Sequence, residues 1–533
     1  MADHPYQCLC LRSIRAFLKT PFAHRSMKTS GVHTVWVAAL LAGGFIGVRD
    51  AWAGAGAQFE NSSTVLNGLK APSSSESPWR PPASRNFARE LTAQKTPEAD
   101  AQKDYELAEL IDLAERINPE TKVAWEQARR AASAVGLAQS QYYPVLALQA
   151  AAKYGREPVP VPLSATRGGF LDVEAQEASP AATLEWVLLD FGRRKAAVHS
   201  AKYQLLAANL GFNAHHQEIV FRVQSAFYEL SKVRGRIDVA QSSLDSAVKV
   251  QEAAEERFKL GLATAPDVSQ GRQQAAQAAF DLESVQVEER DAQVSLAEAI
   301  GITPTTPFRV EDFSRLPMPT NLENSVERVI DRSLEQRPDL LSKVAALREK
   351  EADIRRARAA YYPTLSLQGT VGGAFERAKL DVDGQKLPWA STQQPTWGVG
   401  LALTWSLFDG GARKRKLEIA KSEREAAKHD LDDSRDKAIS QVWRYYSDTK
   451  LAIRRLEVAA ALVEASEKSY QQTFEAYQNG LSSLVDVLAA RRELSQARFT
   501  QLDTRATVLQ STAALAFASG DLGPQLLNRN RKK

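Results

Sequence analysis

From Trp397 to Leu407 the chain alternates. Trp397, Val399, Leu401, Leu403, Trp405 and Leu407 are apolar, and Gly398, Gly400, Ala402, Thr404 and Ser406 are small or polar. A period of two predicts a strand with two unlike faces. Leu184, Trp186 and Leu188 repeat the pattern more weakly. Two further strands are expected to open at Tyr-Tyr-Pro motifs, carried by Leu146 and Leu148 and by Leu365, Leu367 and Val371. Each half of the chain should therefore hold two strands of about ten residues, the length of a tilted membrane-crossing strand. A loop of roughly 20–30 polar residues should join each pair, longer than a tight hairpin turn. A soluble hairpin packed on protein shares this alternation. Aromatic residues at the expected strand ends (Tyr142, Tyr143, Tyr361, Tyr362 and Trp397) favour a membrane interface instead.

The period then changes. Residues 194–260 and 413–479 contain no proline, and each run of 67 residues is rich in alanine and charge. As helices they would reach about 100 Å. Apolar residues three or four apart, such as Ile219, Val223, Ala226 and Leu230, predict packed seams. Arg491 interrupts the seam of Leu484, Val487, Leu488 and Leu494. Gly261-Leu262 and Gly480-Leu481 mark turns, after which the chain returns to Gly301 and Gly520. These are expected to be antiparallel coiled-coil hairpins. Shorter helical segments, Tyr105–Gln141 and Leu322–Ala360, precede the strands and should break early at Pro119 and Pro338.

The chain is written twice. Tyr142-Tyr143-Pro144 recurs 219 residues later as Tyr361-Tyr362-Pro363. The same offset maps Pro119 on Pro338, Trp186 on Trp405, Asp190 on Asp409, Asp267 on Asp486 and Gly301 on Gly520. The expected fold class is α+β and mostly α, in two tandem repeats, 104–303 and 322–523. A Pro-rich linker, 304–321, separates them, and a basic tail, 524–533, follows.

Composition narrows the chemistry. The net charge is +4 from 68 basic and 64 acidic residues, without a nucleic-acid footprint. The two cysteines, Cys8 and Cys10, lie in an N-terminal stretch, 1–53, that ends in an apolar run and Ala51-Trp52-Ala53. That stretch reads as a signal peptide behind an extension, with Met27 as the expected start. A flexible Ser/Pro-rich leader, 54–103, follows. His215 and His216 are adjacent on a helix and point about 100° apart, so they do not chelate as a pair. No phosphate loop, dinucleotide fingerprint, nucleophile elbow or H-E-x-x-H occurs. No catalytic residue, cofactor or metal is expected.

Four strands cannot close a barrel, which needs at least about eight. In lipid an open sheet leaves unpaired edges at several kcal/mol per group. If the strands lie in a membrane, chains must therefore share a barrel, two chains reaching about eight strands and three about twelve.

In order and duplication, the motifs Tyr-Tyr-Pro-x-Leu-x-Leu, Trp-x-Leu-x-Asp-x-Gly and Gly-Leu followed by Asp-Val resemble the outer-membrane factor family of TolC-like channels, over residues 104–523. The resemblance implies a homotrimer with a shared barrel in the outer membrane of a Gram-negative bacterium and a large periplasmic tunnel. It implies a periplasmic adaptor protein and an inner-membrane pump as partners, and passive conduction, most simply of small molecules. Type I protein secretion is the alternative. A non-conducting coiled-coil structural or adhesion protein is an alternative of another class. The resemblance assigns adaptor contact to Gly261, Leu262, Gly480 and Leu481, and gating to Asp267, Tyr477 and Asp486. It sets Trp397, Leu401, Leu403, Trp405, Leu184 and Trp186 against lipid. Ser482 stands where the family has a basic partner, and Ala489 where it has a second acidic ring. Thr264-x-x-Asp267 and Ser483-x-x-Asp486 also fit plain helix caps. The basic runs Arg193-Arg194-Lys195 and Arg413-Lys414-Arg415-Lys416 read as an anchor at the membrane edge.

Overall fold

A computed structural model describes residues 103–162, 169–304, 309–310, 318, 322–323, 325–382 and 384–522. The signal peptide, the leader up to residue 102, most of the linker and the tail lie outside the described residues.

In repeat one, β1 (Asp104–Tyr105) and α1 (Leu107–Ile117) lead into α2 (Pro119–Ser140), β2 (Val145–Pro160), β3 (Phe170–Leu189), α3 (Arg193–Lys259) and α4 (Ala265–Ile300). After β4 (Arg309–Val310), repeat two gives α5 (Val326–Gln336), α6 (Pro338–Ala359), β5 (Thr364–Val382), β6 (Gln385–Lys386), β7 (Ala390–Thr404), α7 (Ala412–Gln478) and α8 (Leu484–Ser519). Both prolines break the helical segments as expected. Pro119 begins α2, and buried Asn118 accepts from the Glu120 amide at 2.9 Å while donating to Ala299 O at 3.1 Å.

Small residues at seven-residue spacing line the seams. Val233, Ala240, Ala247 and Ala254 are buried on α3, and Ala452, Ala459 and Ser466 on α7. That period winds long helices about one another, and alanine lets their backbones approach. The largest apolar cluster lies where α1, α3, α4 and α8 meet, around Leu110, Ile219, Phe227, Leu296 and Ile300. Val329, Val442, Tyr446 and Leu515 form its counterpart in repeat two.

Gly301 ends α4 at φ +90°, where a Cβ would stand 3.0 Å from Asn118 Cα. Exchange for alanine is expected to destabilise this junction by about 1–3 kcal/mol, through the left-handed backbone and the contact. Thermal denaturation in detergent, followed by circular dichroism, measures it.

The strands correct the sequence reading. They span 16, 20, 19 and 15 residues rather than about ten. In β2, β3 and β5 the halves remote from the helices carry charge in place of apolar alternation, and in β7 that half is polar and uncharged. Cross-strand pairs such as Arg156–Asp172 and Tyr154–Glu174 support them there. The expected loops are therefore largely strand. Trp397 lies midway along β7, not at its end, and β7 stops at Thr404, so Trp405 and Leu407 fall outside it. Among the described residues the main sheet runs β2-β3-β5-β7, all antiparallel, with the short β6 also paired to β5 and with β2 and β7 at the free edges.

Candidate channel entrance and membrane band

The register separates two faces. One row crosses the sheet as Leu146, Leu184, Gly369 and Val399, and another as Leu148, Ala182, Val371 and Trp397. Trp186, Leu367 and Leu401 align on the same face, as do Leu365 and Leu403. The intervening rows read Val145, Glu185, Gln368 and Gly400, then Ala147, Thr183, Thr370 and Gly398. One side is thus apolar and the other small or polar, the pattern of a barrel wall between lipid and water.

At the helical end of the sheet the Trp-x-Leu-x-Asp-x-Gly motif builds the same clasp twice. In repeat one, Asp190 Oδ2 accepts from the Arg194 amide at 2.8 Å and from its Nε at 2.9 Å. Arg194 Nη1 reaches Val187 O at 2.5 Å and Gln141 O at 3.3 Å, and Nη2 reaches Leu188 O at 3.3 Å. The guanidinium lies over the Tyr142 ring, and Trp186 Nε1 donates to Tyr142 O at 2.8 Å. Repeat two uses Asp409, Arg413, Tyr361 and Trp405 in the same way. Gly192 and Gly411, at φ +90° and +85°, make the turn into each long helix. Two arginines of the basic runs are therefore structural, not free anchors.

At the far end of the hairpins both tips are closed alike. Gly261 and Gly480 adopt φ +74° and +77°. The Leu262 amide donates to Arg257 O, and the Leu481 amide to Ala476 O, both at 2.8 Å. This closure satisfies helix-end carbonyls and turns the leucines outward, Leu262 62% and Leu481 84% exposed. Asp267 Oδ2 accepts from Thr264 N at 2.8 Å and Oγ1 at 2.7 Å. Asp486 Oδ2 accepts from Ser483 Oγ at 2.6 Å, Ser483 N at 3.1 Å and Ser482 Oγ at 3.3 Å. Both carboxyls are held below their ordinary range: Asp267 first by the Thr264 amide, then its hydroxyl, and Asp486 first by the Ser483 hydroxyl, then its amide. Both aspartates are thus capping residues, each within its own tip.

Tyr477 is buried against Val250, Ala254, Leu484, Val487 and Leu488. Burial pushes its phenol up, opposed by Arg257, and the nearby Asp267 charge adds to the rise. Among the described residues its hydroxyl has no hydrogen-bond partner, so Tyr477 and Asp267 are neighbours without a direct bond.

Arg257 is the residue that sequence reasoning missed. It lies over the Tyr477 ring, donates from Nη1 to Tyr477 O at 2.9 Å and Gln478 O at 3.3 Å, and from Nη2 to Leu262 O at 3.5 Å. One guanidinium thus ties tip one to tip two. The signal was present: at the repeat offset Arg257 faces Ala476, a break in the duplication at the tip. Arg491 makes a second tie. It is buried on α8, with Nη1 3.2 Å from Ser243 Oγ and Nη2 3.0 Å from Gln274 Oε1.

The comparisons agree with this geometry. Protein CyaE of Bordetella pertussis is 27% identical over 448 residues, covering 82% of this chain and 88% of that protein. Outer membrane protein OprJ of Pseudomonas aeruginosa is 25% identical, covering 73% and 78%. The crystal structure of outer membrane protein VceC from Vibrio cholerae superposes with a TM-score of 0.64 at 20% identity, over 78% of this chain and 96% of that one, and shares the fold. The family model for outer membrane efflux proteins matches residues 110–302 and 329–521, one copy in each repeat. With a two-faced sheet set on long paired hairpins, the chain belongs to the outer membrane efflux protein family, whose members are channels of the outer membrane with a large periplasmic tunnel.

Proposed function

We propose that three copies of the chain form a passive conduit that carries small molecules out of the cell, fed by an inner-membrane pump through a periplasmic adaptor. The observation that carries this reading is the sheet. It has one apolar face, one polar face and two long unpaired edges, β2 and β7. Four strands per chain fall short of the roughly eight that a closed barrel needs. Pairing β7 of one copy with β2 of the next removes every edge. The 67-residue helices extend the lumen by about 100 Å. The outward leucines, Leu262 and Leu481, with their glycines Gly261 and Gly480, are the surface offered to the adaptor. Trp397, Leu401, Leu403, Leu184 and Trp186 face lipid, with Trp405 just beyond its strand at the interface. Family membership leaves the non-conducting coiled-coil rod without support.

Two measurements test the reading. The purified protein should have the mass of three chains in detergent and should open discrete currents in a planar bilayer. A chain that is monomeric and water-soluble without detergent refutes it.

Asp267, Tyr477 and Asp486 are proposed to shape the entrance, the aspartates by fixing where each returning helix begins. Asp486→Ala is expected to raise conductance or weaken cation block, since it removes both a carboxylate and a cap. Unchanged current with a modest loss of stability would confine Asp486 to capping. Acidity gives a second readout. Because the folded carboxyls are held low, their stabilisation is present above the unfolded aspartate value of about 3.9 and is lost as pH falls through the lower folded value. Currents should be steady from pH 7 to about 5 and change only below the ordinary aspartate value of about 3.9, as the caps protonate.

A further inference from the structure

The wall beneath the sheet has two faces that the helix phase separates. α2 packs on α3, α3 on α6 and α6 on α7. One groove is lined from all four: by Gln141 after α2, Arg193 and Ala197 of α3, Arg356 and Ala357 of α6, and Ile419 of α7. Residues from α2 and from α7, which are not neighbours, converge only on the concave side of such an arc, so this groove lies on the lumen side. At 3.6 residues per turn, Lys195 and Lys202 stand opposite Arg193 and Ala197. Arg355 and Arg358 stand opposite the face of Arg356 and Ala357, and Lys414 and Lys421 opposite Ile419.

These six cations are exposed on the convex side. Among the described residues none has an ion-pair partner, whereas the acids around them are taken. Glu351 pairs with Arg348, Asp353 with Arg356, Glu418 with Arg415, Glu423 with Lys350 and Glu425 with Arg424. Lys195, Arg355, Arg358 and Lys414 lie within about 6 Å of the helix ends that meet the sheet, and Lys202 and Lys421 about 14 Å along, at 1.5 Å per residue. The headgroup zone of one leaflet is about 6 Å thick, and long side chains reach back toward it. Tyr143 and Tyr362, both exposed, mark the same level independently, directly below the apolar rows.

We propose that this outer collar binds anionic phospholipid headgroups of the leaflet on the tunnel side of the membrane. The inference rests on the channel reading above. The phosphate is the shared recognition element: arginine forks grip it in pairs, and the lysines supply charge. The collar would fix how deep the barrel sits and resist its tilting.

The test uses the full chain and a Lys195→Gln, Arg355→Gln, Arg358→Gln, Lys414→Gln variant. Both are reconstituted in phosphatidylcholine vesicles with and without phosphatidylglycerol, then extracted and weighed with their retained lipid by native mass spectrometry. The unaltered protein should retain phosphatidylglycerol preferentially, less so in high salt. In the variant that preference should fall at least about tenfold, given roughly fivefold per cation near an anionic surface, while conductance and ion selectivity stay unchanged. Equal phosphatidylglycerol retention by both proteins overturns the proposal. So does a changed ion selectivity with unchanged lipid retention, which would put these side chains in the lumen. If neither protein conducts, the channel reading itself fails. Conduction without lipid preference sinks the collar alone.

Discussion

Replacing Arg257 by alanine is expected to give the largest change in current of any single substitution at the tips. Its guanidinium ties the two tips of one chain, reaching the carbonyls of Tyr477 and Gln478 in tip two and that of Leu262 in its own tip. Hydrogen bonds to a charged group contribute about 1.5–3 kcal/mol. A tie of about 2 kcal/mol that is made only with the tips together would, once removed, shift their equilibrium roughly 30-fold toward separation. The expected record is a severalfold rise in mean current in planar bilayers. Arg257→Lys should be intermediate, because an ammonium keeps the charge and loses the fork. Denaturation midpoints should barely move, since the hairpin seams remain intact. Currents identical to those of the unaltered protein would show that the tips are held by something other than this side chain.

The second large effect is on stability. Arg194→Ala should lower the stability of the strand-to-helix junction by about 3–5 kcal/mol, the usual result of stripping one partner from a buried ion pair. The side chains of Arg194 and Asp190 are only 10% and 11% exposed. The substitution leaves the Asp190 carboxylate without its guanidinium and frees the carbonyls of Val187, Leu188 and Gln141. Arg413→Ala should cost less. Its pair with Asp409 is more exposed, at 16% and 23%, and its guanidinium holds a single carbonyl, that of Leu407. Thermal melting of the two variants in detergent ranks them, and equal losses would contradict the difference between the repeats.

The duplication made much of this architecture readable. Helix limits followed from proline at Pro119 and Pro338 and from glycine at Gly261, Gly301, Gly480 and Gly520, because those residues act on the backbone locally. The caps at Asp267 and Asp486 were legible for the same reason: a hydroxyl three residues ahead of a carboxylate is a short-range device. Strand length was not legible. Apolar alternation covers only part of each strand, and the outer halves of β2, β3 and β5 are held by partners on neighbouring strands that no local pattern announces. Arg491 looked like a flaw in an apolar seam, because the Ser243 and Gln274 that receive it lie more than 200 positions away in sequence. The basic runs looked uniform. Helix phase divides them: Arg194 into a clasp, Arg193 toward the groove, Lys195 outward.

The two free margins of the sheet carry a kinetic consequence. β2 and β7, 16 and 15 residues long, each pair on one side only, with β3 and with β5, and among the described residues their other sides meet no strand; an uncovered margin of that length readily joins whatever strand it meets first. In the trimer proposed above, a newly delivered copy is committed to company before its fold is complete. The rate of its maturation should climb with subunit concentration, and a lone copy waiting at the membrane should need an escort that occupies those margins until sister subunits arrive.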